Sequence, residues 1–129
     1  MQSTWLCIIF DPMKLENTQA QMRKGVLELC ILSIIRGEGE AYPSDIIAKL
    51  KESQLIIVEG TLYPLLTRLK NAGLVSYTWK ESSSGPPRKY FQITSQGQKF
   101  LGGLVDGWNS LVQAVNYSIQ NQAQNEQNH

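Results

Sequence analysis

Residues 60–94 constrain the fold more than any other part of this chain, because one amphipathic helix is followed there by two strand-like runs. Four leucines recur at three- and four-residue spacing, which predicts a helix with one side facing a core. They are Leu62, Leu65, Leu66 and Leu69. Gly73 provides a stop for this helix, and apolar and polar residues then alternate over 75–80 and over 88–94. A Ser/Gly/Pro-rich loop over 81–87 separates the two runs. This order of elements predicts a winged helix-turn-helix, in which one helix enters a groove of DNA.

The charge of this segment differs from that of the whole chain. From Thr61 to Tyr90 there are five basic residues and one acid, Glu81, which together give +4. The whole chain carries +1, so the remaining residues sum to −3. Local asymmetry of this kind, rather than the net charge, attracts a polyanion.

The predicted DNA-binding residues lie opposite the leucines on this helix and beside the loop. Their side chains are donors suited to phosphates and base edges. The set is Thr61, Tyr63, Thr67, Arg68 and Lys70 from the helix, and Lys80, Arg88 and Lys89 from the ribbon. A polar helix side or a surface hairpin alone is more often merely solvated, and the combination of the two favours DNA. Pro64 is tolerated only in a first turn, which predicts that the helix starts close to Gly60 or Thr61.

Composition argues against other classes of function. A hydrophobic content of 42% in 129 residues supports one small core, so association of two copies is a source of further burial. The single histidine is His129, and no phosphate loop, Cys/His metal spacing or nucleophile–base pair is found. We therefore expect no enzyme activity, no catalytic residues, no metal and no cofactor. Cys7 and Cys30 suggest no disulfide framework, which favours the cytoplasm.

The chain divides into four predicted parts. They are an arm of unknown role (1–16), a winged-helix DNA-binding domain (17–94), a dimerisation helix (95–119) and a Gln/Asn-rich disordered tail (120–129). The arm includes an apolar run of six residues, too short for a membrane span, which needs about 20. It is either an accessory strand or the product of a mis-chosen translation start upstream of Met13.

Three helices are predicted within the winged-helix domain. The first begins at Thr18, ends at the glycine-rich stretch 36–39 and forms the trunk of the core. Its main inward stripe is predicted to be Met22, Val26, Leu29, Cys30 and Ile34. The second helix begins at Ser44, which can cap it, and the third begins at Glu59 or Gly60.

The last helix carries apolar residues at alternating three- and four-residue steps, the spacing of a coiled-coil seam. Those assigned to dimerisation are Leu101, Leu104, Trp108, Leu111 and Val115. Ser95 and Gln98 are predicted to form its capping box. Gly102, Gly103 and Gly107 each cost about 1 kcal/mol inside a helix, which close packing against another backbone or ring would explain. The predicted fold class is mainly α with a small β-ribbon (α+β), a winged helix-turn-helix plus a long C-terminal dimerisation helix.

A set of residues between Gln21 and Trp108 forms a recognisable pattern. They are Arg23-Lys-Gly25, Leu27, Ile31-Leu32, Gly60-Thr-Leu-Tyr-Pro64, Arg68-Leu69, Gly73-Leu74, Arg88-Lys-Tyr90, Thr94 and Gly97. In this pattern the chain resembles the PadR-like transcriptional regulators. The resemblance implies a winged-helix DNA-binding domain followed by a dimerisation helix, usually acting as a ligand-released repressor. The single C-terminal helix is similar to that of the shorter subfamily.

The resemblance also bears on Trp108. In multidrug-sensing members of that subfamily a tryptophan on the last helix lines a pore between subunits and stacks on flat ligands, and Trp108 matches it. This implies a small planar apolar effector. A tryptophan at helical spacing is also a plain dimer anchor, and both interpretations stay open. Two positions depart from the family pattern: Ser44-Asp45 replaces a common Gly-Tyr pair, and Val58 replaces a serine-like cap.

The leading hypothesis is a homodimeric, sequence-specific repressor that binds a pseudo-palindromic operator in double-stranded DNA. Its two third helices would enter successive major grooves about 34 Å apart. The alternative, suggested by the acidic remainder of the chain, is a winged-helix module that binds protein without binding DNA. Salt-sensitive retention on duplex DNA distinguishes the two. No membrane partner is expected.

Overall fold

The computed structural model describes residues 14–127, and it contains five helices and one antiparallel ribbon. The elements are α1 (Leu15–Lys24), α2 (Leu27–Glu38), α3 (Pro43–Glu52), α4 (Glu59–Asn71), β1 (Val75–Ser82), β2 (Gly85–Ile93) and α5 (Ser95–Gln127). The predicted fold class, mainly α with a small β-ribbon and a long C-terminal helix, is confirmed. Residues 1–13 of the predicted arm lie outside the described residues. No helix within residues 14–127 combines the length and the hydropathy that crossing a membrane requires.

The predicted trunk helix is two helices, because the chain bends at Gly25 and Val26. Val26 has φ −111° and ψ −2°, outside regular helical geometry. The first helix begins at Leu15 rather than Thr18, and the Thr18 hydroxyl donates to the Lys14 carbonyl oxygen four residues earlier. A serine or threonine in that position belongs to the helix body rather than to its cap.

The bend also changes which side chains reach the core. The buried residues of α2 are Leu27, Ile31, Leu32 and Ile35, none of which belongs to the predicted stripe. Met22 lies in α1 and is 71% exposed, whereas Ile31 lies in α2 and is fully buried. The predicted inward stripe is correct for Leu29, Cys30 and Ile34, which are half-buried and pack against the core, and it is wrong for Met22. Met22 and Val26 line an open groove beside α5, which Leu29 also borders.

The two helices of the helix-turn-helix are α3 and α4. Helix α3 begins at Pro43, and its N-cap is Tyr42, whose backbone N–H donates to Asp45 Oδ2 at 3.1 Å. The predicted start at Ser44 is thus one residue late. Helix α4 begins at Glu59, as predicted, and buries Leu62, Leu66 and Leu69. After α4 the chain turns at Gly73, whose φ of 79° is a conformation that favours glycine.

Pro64 lies inside α4, beyond the first turn in which it was expected. Its missing N–H leaves the carbonyl of Gly60 without an intrahelical partner. The first turn of this helix is therefore held less firmly than the turns that follow.

The ribbon pairs Val75 with Ile93 and Lys80 with Arg88, and it continues to Ser82 opposite Gly85. The predicted loop over 81–87 is wrong, since only two residues separate the strands. Proline is tolerated there because both strands of a two-stranded sheet are edges, where a missing N–H needs no partner. The pairing register shifts between Lys80 and Ser82, as in a β-bulge, and the strands pair again at Ser82 and Gly85.

A third segment pairs with the ribbon at one point. Ala41 and Phe91 exchange two backbone hydrogen bonds, with N–O distances of 3.0 and 2.8 Å. Both residues are buried. The turn between α2 and α3 is therefore joined directly to β2.

Helix α5 has 33 residues and a length of about 50 Å. It continues to Gln127, so the predicted end at Ile119 is too early and residues 120–127 of the expected tail are helical. The cap is Thr94 rather than Ser95, since Thr94 Oγ1 accepts the N–H of Gly97 at 2.9 Å. The same hydroxyl donates to the Gly73 carbonyl oxygen at 2.7 Å, which ties the start of α5 to the end of α4.

Candidate nucleic-acid interface

The side of α4 opposite its buried leucines is exposed. With Leu62, Leu66 and Leu69 turned inward, a period of 3.6 residues per turn leaves the intervening polar residues outside. The five predicted DNA-binding residues of this helix, Thr61, Tyr63, Thr67, Arg68 and Lys70, are all exposed. The ribbon residues Lys80 and Arg88 are exposed and Lys89 is half-buried.

The three cations of the ribbon do not form one cluster. Lys80 pairs across the ribbon with Arg88, whereas Lys89 pairs with Trp79. Since side chains alternate between the two sides of a strand, Lys80 and Arg88 share one side of the ribbon. Lys89 lies on the other side with Tyr77, which is not among the predicted DNA-binding residues.

The side that carries Lys89 faces α4. A cleft of about 170 Å³ separates the helix from the ribbon. Its polar lining consists of Tyr63, Thr67, Lys70 and Asn71 from α4, and Tyr77 and Lys89 from the ribbon. Four of the eight predicted DNA-binding residues therefore share one cleft, where ammonium, hydroxyl and amide donors converge.

Tyr63 enters this cleft as a neutral phenol. Desolvation, followed by the negative charge of Glu59, raises its pKa above the ordinary value for tyrosine. A phenol that keeps its proton can donate a hydrogen bond to a phosphate oxygen. Glu59 lies in the first turn of the same helix and is not among the predicted DNA-binding residues.

The opposite side of the ribbon packs against the turn before α3. The Arg88 guanidinium lies 4.8 Å from the ring centroid of Tyr42, and the Lys80 ammonium lies 5.1 Å from that of Tyr90. The two rings are themselves 5.8 Å apart. Tyr42 directly precedes α3, so this aromatic pair joins the ribbon to the start of the helix-turn-helix.

Glu40 reduces the positive charge of this second side. It forms an ion pair with Lys80, and its Oε1 accepts from Gln92 Nε2 at 3.2 Å. The hydrogen bonds from Lys80 and then Gln92 lower the pKa of Glu40, so the carboxylate stays ionised at neutral pH. No local signal in the sequence could reveal this contact, because Glu40 and Lys80 are 40 residues apart.

Arg68 is also neutralised within the chain. Its guanidinium forms an ion pair with Glu28 of α2, whose side chain is only 26% exposed. Among the eight predicted residues, Arg68 and Lys80 thus meet a carboxylate, whereas the structure shows no ion pair for Lys70, Arg88 or Lys89 within the described residues. The positive potential is therefore concentrated on Lys70 and Lys89 in the cleft and on Arg88 beyond it.

A second candidate site is an apolar groove between α1 and α5. It has a volume of about 550 Å³. Its apolar lining includes Met22, Val26, Trp108, Leu111, Val112 and Val115. Trp108 is 43% exposed, Leu111 55% and Val115 47%, so much apolar surface is left uncovered in the single chain.

Leu101 does not belong to this groove, although it was predicted to take part in dimerisation. It is fully buried in the core of its own chain. Leu104 is half-buried and packs against the same core. The residues with seam spacing are therefore buried in the chain's own core at the start of α5 and exposed further along it. Of the predicted dimerisation set, only Trp108, Leu111 and Val115 are exposed to solvent in the single chain.

The comparisons with known proteins agree with this architecture. Residues 31–102, more than half of the chain, match the transcriptional regulator PadR-like family. The solved structure of a PadR-like transcription factor from Bacteroides fragilis is 58% identical, covering 78% of this chain and 97% of that one, with a TM-score of 0.67.

Two further solved structures are similar. A PadR family regulator from Eggerthella lenta is 28% identical and covers 87% of this chain and 96% of its own, with a TM-score of 0.76. A PadR-like regulator from Bacillus cereus is 40% identical, covers 78% of this chain and 97% of its own, and has a TM-score of 0.68. The chain therefore belongs to the PadR-like family of transcriptional regulators.

Proposed function

We propose that this protein is a cytoplasmic, homodimeric repressor that binds a pseudo-palindromic operator in double-stranded DNA. The observation that carries the proposal is the shared cleft, where exposed donors of α4 meet Lys89 of the ribbon. Helix α4 would enter the major groove with the ribbon on the flanking backbone. The cationic side chains mainly contact phosphates and position the protein, while neutral side chains of α4 reach base edges.

The homodimer is supported by the uncovered surface of α5. Gly103 and Gly107 line a small cavity beside Trp108, and a Cβ added at either position would meet nothing within 4 Å. Nothing in the single chain therefore requires these glycines, although each weakens the helix by about 1 kcal/mol relative to alanine. Close packing of a second copy explains both the glycines and the exposed apolar stripe.

The proposal is tested by titrating binding to the protein's own promoter region against salt. Replacing Arg88 and Lys89 together by alanine is expected to weaken binding to all duplexes. It should also flatten the slope of log K against log salt by about two per subunit, because each lost phosphate contact lowers it by about 0.9. The double variant Lys14→Ala plus Lys24→Ala removes the same charge from the exposed ends of α1 and serves as control. An unchanged slope in the ribbon variant would remove the ribbon from the interface.

The same proposal includes a small planar, apolar effector that stacks on Trp108. Support comes from the groove, where a half-exposed indole stands beside Met22 and Leu111. A ligand held between α1 and α5 would change the packing of α5 and hence the separation of the two DNA-binding domains. The other role of Trp108, as a plain dimer anchor, needs no ligand.

Tryptophan fluorescence separates these two roles of Trp108. A flat aromatic dye is expected to quench the wild type and the Trp79→Phe variant strongly, and Trp108→Phe much less. Trp79 is exposed on the ribbon, away from the groove, so its variant corrects for general quenching. Equal quenching in all three proteins would leave Trp108 as an anchor alone.

A further inference from the structure

Two lysines from different elements approach one aromatic ring in the cleft between α4 and the ribbon. Lys70 Nζ lies 5.6 Å from the ring centroid of Tyr77, and Lys89 Nζ lies 4.4 Å from it. Both distances fall within the range of a cation–π attraction. Lys89 is also 5.3 Å from the ring centroid of Trp79.

The ring of Tyr77 is itself held in place. It packs at 5.7 Å against Phe91, which is buried in the core, and at 6.2 Å edge-on against Trp79. The ring of Tyr77 is therefore held in one position by its neighbours. A lysine side chain without such a contact samples many rotamers. Contact with a fixed ring restricts the stems of both lysines and directs both ammonium groups towards the cleft.

Two ammonium groups that line one cleft attract an anion to it. Among the described residues, neither Lys70 nor Lys89 forms an ion pair, in contrast to Lys80, which Glu40 neutralises. The cleft adds neutral donors from Tyr63, Thr67 and Asn71. Ammonium groups together with hydroxyl and amide donors are a set suited to one phosphate group.

We propose that Lys70 and Lys89 together bind a single phosphodiester of the operator backbone, and that Tyr77 is the positioning residue that holds both ammonium groups for it. This inference rests on the DNA binding proposed above and assigns a ligand to one cleft. A phosphate bound there contacts α4 and the ribbon at once. Such a phosphate contact therefore fixes how deeply α4 enters the major groove relative to the DNA backbone that the ribbon contacts.

Joint binding of one phosphate makes a distinctive prediction about combined substitutions. Residues that act on one group are non-additive, whereas contacts with separate phosphates add. Lys70→Ala and Lys89→Ala should each lower affinity for the promoter duplex about tenfold, and the double variant should lose clearly less than the product of the two. Lys80→Ala serves as the matched control, because this stacked ribbon lysine is already paired with Glu40, and it should lose less than either.

Substitution of Tyr77 tests the positioning role. Tyr77→Phe keeps the ring and should retain most of the affinity. Tyr77→Leu should lose about as much as either lysine variant, and in that background the effects of Lys70→Ala and Lys89→Ala should become additive. Thermal unfolding of each variant, together with the Tyr77→Phe result, separates this loss from a failure to fold.

The outcomes distinguish this inference from the proposed function. If the wild type shows no salt-sensitive binding to duplex DNA, the proposed function fails and this inference fails with it. If the wild type binds but the two lysine effects add in the presence of Tyr77, or Tyr77→Leu binds with full affinity, the shared phosphate is overturned and the DNA-binding function stands.

Discussion

Replacing Gly97 by alanine is expected to lower the free energy of unfolding by about 3 kcal/mol or more, the range of severe overpacking. A Cβ at this position would lie 2.0 Å from the carbonyl oxygen of Leu74 and 2.7 Å from Cγ1 of Ile93. The first of these atoms belongs to the backbone and cannot move aside. The N–H of Gly97 also donates to Thr94, so a shift of α5 would disturb its cap.

The measurement is urea denaturation at one fixed protein concentration, since the proposed association of two copies would contribute to apparent stability. Gly37→Ala is the matched control. Gly37 is exposed within α2, and an added Cβ there would meet nothing within 4 Å. That control should leave stability unchanged or raise it by up to about 1 kcal/mol. A Gly97→Ala protein as stable as the control would show that the start of α5 does not approach Leu74 as closely as described.

Replacing Leu111 by aspartate is expected to dissociate the proposed dimer and to lower operator affinity at least a hundredfold. Loss of one buried leucine costs about 2 kcal/mol, and the two-fold symmetry of a dimer doubles it. Separation of the subunits then removes the advantage of binding two linked half-sites, which is worth about 10²–10⁴ in affinity. Sedimentation measures the first effect and a duplex titration the second.

Gln113→Asp provides the control for this change. It introduces the same charge two residues further along α5, on the side away from the apolar stripe, where Gln113 is exposed. We expect this variant to remain dimeric and to bind the operator nearly as the wild type does. A Leu111→Asp protein that remained dimeric would place the subunit interface elsewhere.

The spacing of apolar residues predicted those helices and strands that have one side in the core and the other in solvent. The leucines of α4 and the alternation in the ribbon are such cases. Both elements form where they were predicted, although the two strands extend further towards their turn. The loop predicted over 81–87 was wrong because proline interrupts a strand only where its missing N–H would leave a neighbouring strand unpaired, and the outer edges of a two-stranded ribbon have no such neighbour. The end predicted at Ile119 was wrong because Gln/Asn-rich composition describes hydropathy and not helical geometry.

Contacts between distant segments account for what the sequence could not predict about the site. Tyr42 and Glu40 contact ribbon residues that are forty or more positions away in the sequence. Tyr77 has the alternation of a core residue, and only its position beside α4 shows that it lines the cleft. The assignment of Leu101 failed for a related reason. Seam spacing shows that a residue is covered by something apolar, and it does not show whether the cover comes from the same chain or another.

The backbone pairing of Ala41 with Phe91 has a consequence for the spacing of the two half-sites in the proposed operator. Because this pairing joins the ribbon to the turn before α3, the ribbon cannot swing independently of α4 to reach a displaced phosphate. One base pair inserted between the half-sites moves them apart by about 3.4 Å and rotates one against the other by about 35°. In the proposed dimer only α5 could accommodate that change. We therefore expect operator binding to depend on the length of the spacer between the half-sites.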